Sequence, residues 1–495
     1  MISAVRPASL FGPLTIALAL LTSCSFGEDE NQIRVTVVED GESRINPVGT
    51  RLNYASATMR AAIAKGLVGL DERGRVVPAL AARWIVTDDG LSYIFRLYEA
   101  KWDDGRQVTA ERVARLLRER FAELGRSRLA NDVEIIDEVV SMTGRVVEIR
   151  LKSPHPNFLQ LLAQPEMGLF RAGHGAGPMR LLSEANGIML NRFDEPSQDE
   201  TEENEEEQDR WVSLHSESAA KAISRFTLGQ ANLVIGGKFH HLPLLDEAGV
   251  DSGNIQLDPV AGMFGFLFTR ADGFWAVPEN REILAMAINR PALLTSFPSV
   301  TAWQARQKII PEALDVEGIN ARPDWAAMTM NARIDFARNH VTNWKASEGN
   351  IKALAVTLPD AVGADILFLR VRSDLRRVGL ELVKASADNP ANAILIDEIT
   401  PYNSPQWFLS RLTCAQTPIC LNDADTKIAE ADAATNLEIK ARLYAEAEEM
   451  LVQHYNYIPI AVPIRWSIAR PGQRGFAVNP RGWHPLNPLI GIPIS

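Results

Sequence analysis

Few residues in this chain have the types and spacing that reaction chemistry requires. His240 and His241 form the one adjacent histidine pair. Two imidazoles can hold a metal ion, but neighbours on a strand point to opposite faces, so this pair is expected at solvent or at a cleft edge. No His-x-x-x-His, H-E-x-x-H or G-x-S-x-G pattern occurs, so zinc hydrolysis and serine-elbow acyl transfer have no supporting motif. Gly173 to Pro178 reads GHGAGP. Such a loop invites a phosphate-binding reading, yet it lacks the Lys-Ser/Thr ending of a P-loop and the spacing of a dinucleotide fingerprint. His174 within it is a candidate ligand contact. The chain is therefore expected to be no enzyme and to use neither metal nor cofactor.

Length and charge narrow the class further. The 495 residues suggest two or three structural units. A net charge of −11 argues against nucleic acid and against an anionic membrane surface as partners. Residues 1–24 do not read as fold: Arg6 supplies a positive start, and Leu10 to Leu21 is an apolar run too short to span a membrane. The closing Leu21-Thr22-Ser23-Cys24 resembles a bacterial lipobox, in which the cysteine becomes the acylated first residue. Lipidation at Cys24 would anchor the body to a membrane by acyl chains alone. Residues 25–32 read as a polar linker. The two other cysteines, Cys414 and Cys420, lie in TCAQTPIC. Export to an oxidising compartment makes a short disulfide plausible, and two free thiols are the alternative.

These features need a frame to hold them, and the pattern along the chain supplies one. Asp88-Asp89-Gly90 signals a tight turn. Ser92 to Leu97 then alternates as a half-buried strand, with Tyr93, Phe95 and Leu97 on one face. Thr109 is a candidate N-cap, followed by Val113, Leu116, Leu117 and Phe121 on one helical stripe. Ile33 to Val38, Val146 to Lys152, Phe264 to Thr269, Ala353 to Leu358 and Ala393 to Ile396 read as strands. Asp365 to Gly379 and Leu437 to Gln453 read as helices, and Tyr457 to Arg465 as an apolar strand. The alternation of β and α favours an α/β protein with a largely parallel sheet. Residues 194–209 interrupt this. Ten of these sixteen residues are acidic, a composition that predicts a disordered insert and lacks the spacing of a calcium loop.

The literal wording carries more than the pattern. The pieces GLVGLD, VVPALAARW, TDDGLSYIFRL, KWDDG and VTAERV, between Gly66 and Val113, resemble in order and spacing the opening of the bacterial extracellular solute-binding proteins, family 5. These are the peptide/nickel-class substrate receptors of ABC importers, and include oligopeptide- and dipeptide-binding proteins. GHGAGP resembles the family's GTGP segment, with Ala176 at the Thr position and Met179 at the usual aromatic. Ile288-Asn289-Arg290 is similar to AIDR, and the tail RGWHPLNPLIGIP to the family's closing style.

The resemblance implies a two-lobed, type II periplasmic-binding-protein fold of the large peptide-binding class, with hinged lobes and an extra subdomain in lobe I. Lobe I would span 33–263, lobe II 264–466, and 467–495 would return to lobe I. The crossings are expected near Phe264–Thr269 and Ile458–Trp466. A peptide or similar small solute would bind between the lobes, and an ABC permease would read the closed form. A lipid-anchored periplasmic monomer is implied, with no nucleic-acid partner. Expected ligand contacts are Asn53, Tyr54, His174, Thr269, Tyr402, Asn403 and Trp407. The family's ammonium-binding aspartate falls on Pro401, which cannot do that job, and Asp397 and Glu398 are its nearest substitutes. The rival reading is a non-transport scaffold or chaperone that keeps the solute-binding fold.

Overall fold

A computed structural model describes residues 31–492, apart from 42, 43, 50, 126, 128, 143, 184–187, 194–209 and 315–320. The lipobox with Cys24 and the acidic run 194–209 therefore lie outside the described residues. Among the described residues, no helix is long and apolar enough to cross a membrane.

Two large sheets form the frame. The first has seven strands, in the order Ile255–Leu257, Arg465–Ala469, Leu233–Lys238, Gln32–Val38, Trp211–Glu217, Ile188–Arg192 and Met179–Ser183. Its centre is the β-branched run IRVTVV, whose Val35 and Val37 are fully buried. That strand runs parallel to both neighbours, with Val35 opposite Leu214 and Leu233. The second sheet has five strands, in the order Leu382–Lys384, Leu354–Thr357, Ala393–Ile399, Gly262–Phe268 and Tyr457–Pro459.

The expectation of a largely parallel sheet is corrected here. In the second sheet only the pairs made by Leu354–Thr357 are parallel; Gly262–Phe268 runs antiparallel to both of its neighbours. The chain enters this sheet on one central strand and leaves it on the adjacent edge strand, so those two run in opposite directions.

The chain passes between the two sheets twice, through residues 258–261 and 460–464. The apolar run from Tyr457 to Arg465 is thus two strands in different sheets, Tyr457–Pro459 and Arg465–Ala469. Pro459 is the last residue of the first strand, and Pro463 lies in the crossing, where a residue without an N–H cannot extend a ladder.

A smaller four-stranded antiparallel sheet, Ala81–Val86, Ser92–Leu97, Val146–Leu151 and Ile136–Ser141, packs against the first lobe. Gly90 closes its first hairpin at φ +68°, and the Asp89 carboxylate accepts the Leu91 N–H at 3.0 Å. The helix Ala110–Leu124 lies on this sheet. The Thr109 hydroxyl accepts the Arg112 N–H at its start, and Val113, Leu117, Phe121 and Leu124 are buried.

Candidate functional site

Between the two large sheets lies a cleft of about 390 Å3. Its first wall comes from the start of the helix Tyr54–Ile63, from Lys238 at the end of a strand, and from the return segment Arg481–Trp483. Its second wall is the end of the strand Ala393–Ile399 with Thr400 and Pro401. The sequence folds this way because Asn53 caps the helix, its side-chain oxygen accepting the Ser56 N–H at 2.8 Å. That cap sets Tyr54 at the mouth of the helix, facing the cleft. The Tyr54 hydroxyl donates to the Gly482 carbonyl at 2.9 Å, and its ring meets Trp483 edge-on at 5.6 Å between centroids. Burial pushes the phenol's pKa up, so it remains a neutral donor.

Charge in the cleft is mixed. Arg465 and Asp397 pair across the two sheets, Nη1 to Oδ1 at 2.8 Å, and Arg465 Nη2 also donates to the Asp397 carbonyl at 3.0 Å. Both side chains are 11 % exposed. The second carboxylate oxygen of Asp397, Oδ2, is buried and has no hydrogen-bond partner. Arg481, whose pKa burial lowers, donates Nη1 to the Asn403 side-chain oxygen at 2.9 Å. Lys238 reaches Asp40 at 2.6 Å behind the wall. The lining thus mixes three carboxylates, Glu166, Asp397 and Glu398, with three cations, Lys238, Arg465 and Arg481, and Asp397 Oδ2 stands buried among them without a hydrogen-bond partner, an arrangement suited to a small zwitterion.

The lobes touch on both flanks of the cleft. Gln164 Nε2 donates to the Pro401 carbonyl at 3.3 Å, Asn157 Nδ2 to the Asn403 carbonyl at 3.4 Å, and Gln416 Nε2 to Asn131 at 3.3 Å. The Tyr402 hydroxyl bonds Asp132, and its ring stands edge-on to His155 at 5.2 Å. On the other flank, Gly363 approaches so closely that a Cβ there would sit 2.6 Å from the His240 Cα.

Of the residues singled out from the sequence, Asn53 and Tyr54 line the cleft, as do Pro401, Asp397 and Glu398. Tyr402 and Asn403 sit at the contact between lobes. His174 lies elsewhere, on a surface loop with Nδ1 2.5 Å from Asp103. Thr269 ends its strand, with its N–H donated to the Asn392 carbonyl at 2.8 Å. Trp407 is 2 % exposed inside the second lobe, because Pro405 starts a helix that turns it into the core. The glycine loop is a packing device. A Cβ on Gly175 would lie 1.8 Å from the Ile63 carbonyl oxygen, and one on Gly177 2.2 Å from the Ile63 carbonyl carbon. The Cys414 and Cys420 sulfurs are in bonding contact, with Cα atoms 5.0 Å apart.

Gln164, Glu166, Lys238, Arg465, Arg481 and Trp483 also line the cleft, and no local pattern marks them as site residues. For Arg481 and Trp483 the local signal is the polar and aromatic start of the tail RGWHPLNPLIGIP, beyond the last strand.

The reading of His240 and His241 as diverging strand neighbours is corrected. They sit on a one-turn helix, Phe239–His241, which brings both Nε2 atoms to 2.9 Å from Asp40 Oδ1. The three groups have a ligand set for a metal ion. Two features oppose one: the Lys238 ammonium already neutralises Asp40, and the Lys238 N–H donates to His241 Nδ1 at 3.4 Å, which leaves the proton on Nε2. Hydrogen bonds from His240, then His241, hold the Asp40 carboxyl well below the usual range.

Comparison with known proteins places this geometry. Residues 75–208 match the model of the bacterial extracellular solute-binding proteins, family 5. The chain is 23 % identical to the glutathione-binding protein GsiB of Escherichia coli (strain K12), covering 94 % of this chain and 95 % of that one. It superposes on Haemophilus influenzae OppA in complex with the peptide RPPGFSPFR with a TM-score of 0.72 at 15 % identity, covering 94 % and 100 % of the two chains. The Escherichia coli murein tripeptide binding protein MppA gives 0.73 at 17 % identity, covering 92 % and 97 %. NikA from Brucella suis, in complex with Fe(III)-EDTA, also gives 0.73 at 17 %, covering 92 % and 99 %. The chain has the two-lobed fold of these binding proteins.

Proposed function

We propose that this chain, which belongs to the bacterial extracellular solute-binding proteins, family 5, captures a short peptide or similar small zwitterion between its lobes and presents it to the permease of an ABC importer. The observation that carries this is the cleft of about 390 Å3 in which Asp397 holds a buried, partnerless carboxylate oxygen. A free ammonium would satisfy that oxygen, and this residue would take over the task that Pro401 cannot perform. Arg481, whose Nε is buried without a partner, would receive a carboxylate, and Tyr54 and Trp483 would supply the aromatic wall. GsiB is named for glutathione, a small anionic peptide, and a ligand of that chemistry fits the cationic groups here.

We place the lobe boundaries at the two crossings, 258–261 and 460–464, a few residues from the expected division of lobe I over 33–263, lobe II over 264–466 and a return to lobe I over 467–495. Ligand binding would bias the lobes toward closure by its differential affinity for the closed form. Periplasmic residence fits the relatives, and acylation at Cys24 would keep the receptor at its membrane.

Calorimetry of the full chain against di- and tripeptides, with and without a free amino group, tests this reading. Saturable binding that requires the amine is the expected outcome. A chain that binds no member of the panel, and a fold that serves only as a scaffold, would give flat titrations throughout.

A further inference from the structure

The second lobe carries another cavity, separate from the cleft, with a volume of about 460 Å3. The turn Ile288–Pro291, the segment Gln304–Lys308 and Val462 of the second crossing form its walls. Five cationic side chains line it: Arg290, Arg306, Lys308, Arg322 and Arg333. Glu312 is the one carboxylate among the described lining residues. In a chain of net charge −11 this is a local reversal of sign. A concave surface of one sign concentrates ions of the other.

Arg290 is the strongest pointer. It is 2 % exposed. Its Nε donates to the Pro459 carbonyl and its Nη1 to the Ala285 carbonyl, both at 2.9 Å. Its Nη2 is buried and has no partner, and among the described residues no carboxylate pairs with it. Leaving a charged donor desolvated and unpaired is costly. The guanidinium groups of Arg290 and Arg333 also share one indole, lying 5.5 Å and 5.0 Å from the Trp325 ring centre. Arg333 is near enough that its charge helps lower the Arg290 pKa, so the two like charges repel. Burial pushes the Arg290 pKa down to about 9 and lowers that of Arg306.

We propose that this cavity binds a small multivalent oxyanion of the phosphate or polycarboxylate class, with Arg290 and Arg333 as its principal contacts. The anion would satisfy the orphaned Nη2 and offset the repulsion between the two guanidinium groups. It would also brace the hinge. The Arg306 N–H donates to the Ile460 carbonyl at 2.9 Å and the Val462 N–H to the Gln304 carbonyl at 3.0 Å, so the cavity wall is bonded to the second crossing.

The test is calorimetry of the full chain with sodium phosphate and with citrate at constant ionic strength, and co-sedimentation with vesicles containing phosphatidic acid, whose headgroup is a phosphomonoester. Arg333→Gln removes a charge-assisted contact and should weaken binding by about tenfold or more. Glu312→Gln removes the opposing carboxylate, frees Arg322 from its ion pair and should tighten binding. Both positions face solvent at least in part, and circular dichroism checks that the variants fold. Saturable binding of phosphate or citrate with both shifts assigns the site to a free anion. Binding of vesicles alone with the same two shifts assigns it to a lipid headgroup. Absence of binding to all three, or binding indifferent to both substitutions, overturns the proposal. No peptide is present in any arm, so this outcome is independent of the one for the cleft.

Discussion

Asp397→Asn isolates the group on which the cleft's chemistry turns. The substitution keeps the shape and removes the charge. In the parent, Oδ1 is held by Arg465 at 2.8 Å and Oδ2 is buried without a partner. An amide can still accept from Arg465, so the fold should survive. The pair is largely buried, and weakening it should cost about 1–2 kcal/mol of stability, less than the 3–5 kcal/mol of leaving a buried charge with no partner. The effect on binding is sharper. A ligand ammonium on Oδ2 would make a charge-assisted hydrogen bond of about 1.5–3 kcal/mol, so its loss should raise Kd by about ten- to a hundredfold. The informative assay is a cycle: parent and variant, each titrated with a free-amine peptide and its N-acetylated form. The parent should discriminate strongly between the two peptides, and the variant weakly. Equal discrimination in both proteins would refute Asp397 as the ammonium partner, whatever the absolute affinities.

Three further outcomes follow from the packing. His155 is 5 % exposed and burial pushes its pKa down from 6.5 to about 4. The unfolded chain therefore binds the proton first, and stability present above pH 6.5 should fall as the pH drops toward 4, by about 3 kcal/mol in full. Urea melts at pH 7 and pH 4.5 should show a smaller drop in His155→Phe than in the parent, and equal drops would exclude this source. Gly177→Ala places its Cβ 2.2 Å from backbone carbon and should destabilise the first lobe by about 3 kcal/mol, read as a lowered Tm. A tolerated alanine would mean that the loop does not pack on the helix as described. Closing the short loop between Cys414 and Cys420 should contribute about 2 kcal/mol. Cys414→Ser with Cys420→Ser should lower the urea midpoint as much as reductant does on the parent, and a midpoint unmoved by either would argue against the bond.

What was legible in the sequence was local. The turn at Gly90, the strand Ser92–Leu97 and the cap at Thr109 each follow from a few neighbouring residues, and each stands where the pattern put it. The apolar run at 457–465 has the hydrophobicity of one strand, yet Pro459 and Pro463 flank the break between two. His240 and His241 misled because the one-turn helix that aligns them carries no periodicity in three residues. The cleft itself was hardest to see. Asp397 and Arg465 are 68 residues apart and meet only when the ends of interior strands from two sheets are brought together. Arg481 and Trp483 come from a return segment that local pattern cannot place beside Tyr54.

Small-angle scattering of the full chain with and without a saturating peptide tests the central claim most directly. A smaller radius of gyration is expected in the bound state, with the inter-lobe contacts Gln164–Pro401 and His240–Gly363 opening in the free chain and held shut by the ligand. A scattering curve unchanged by a peptide that calorimetry shows to be bound would contradict capture by closure.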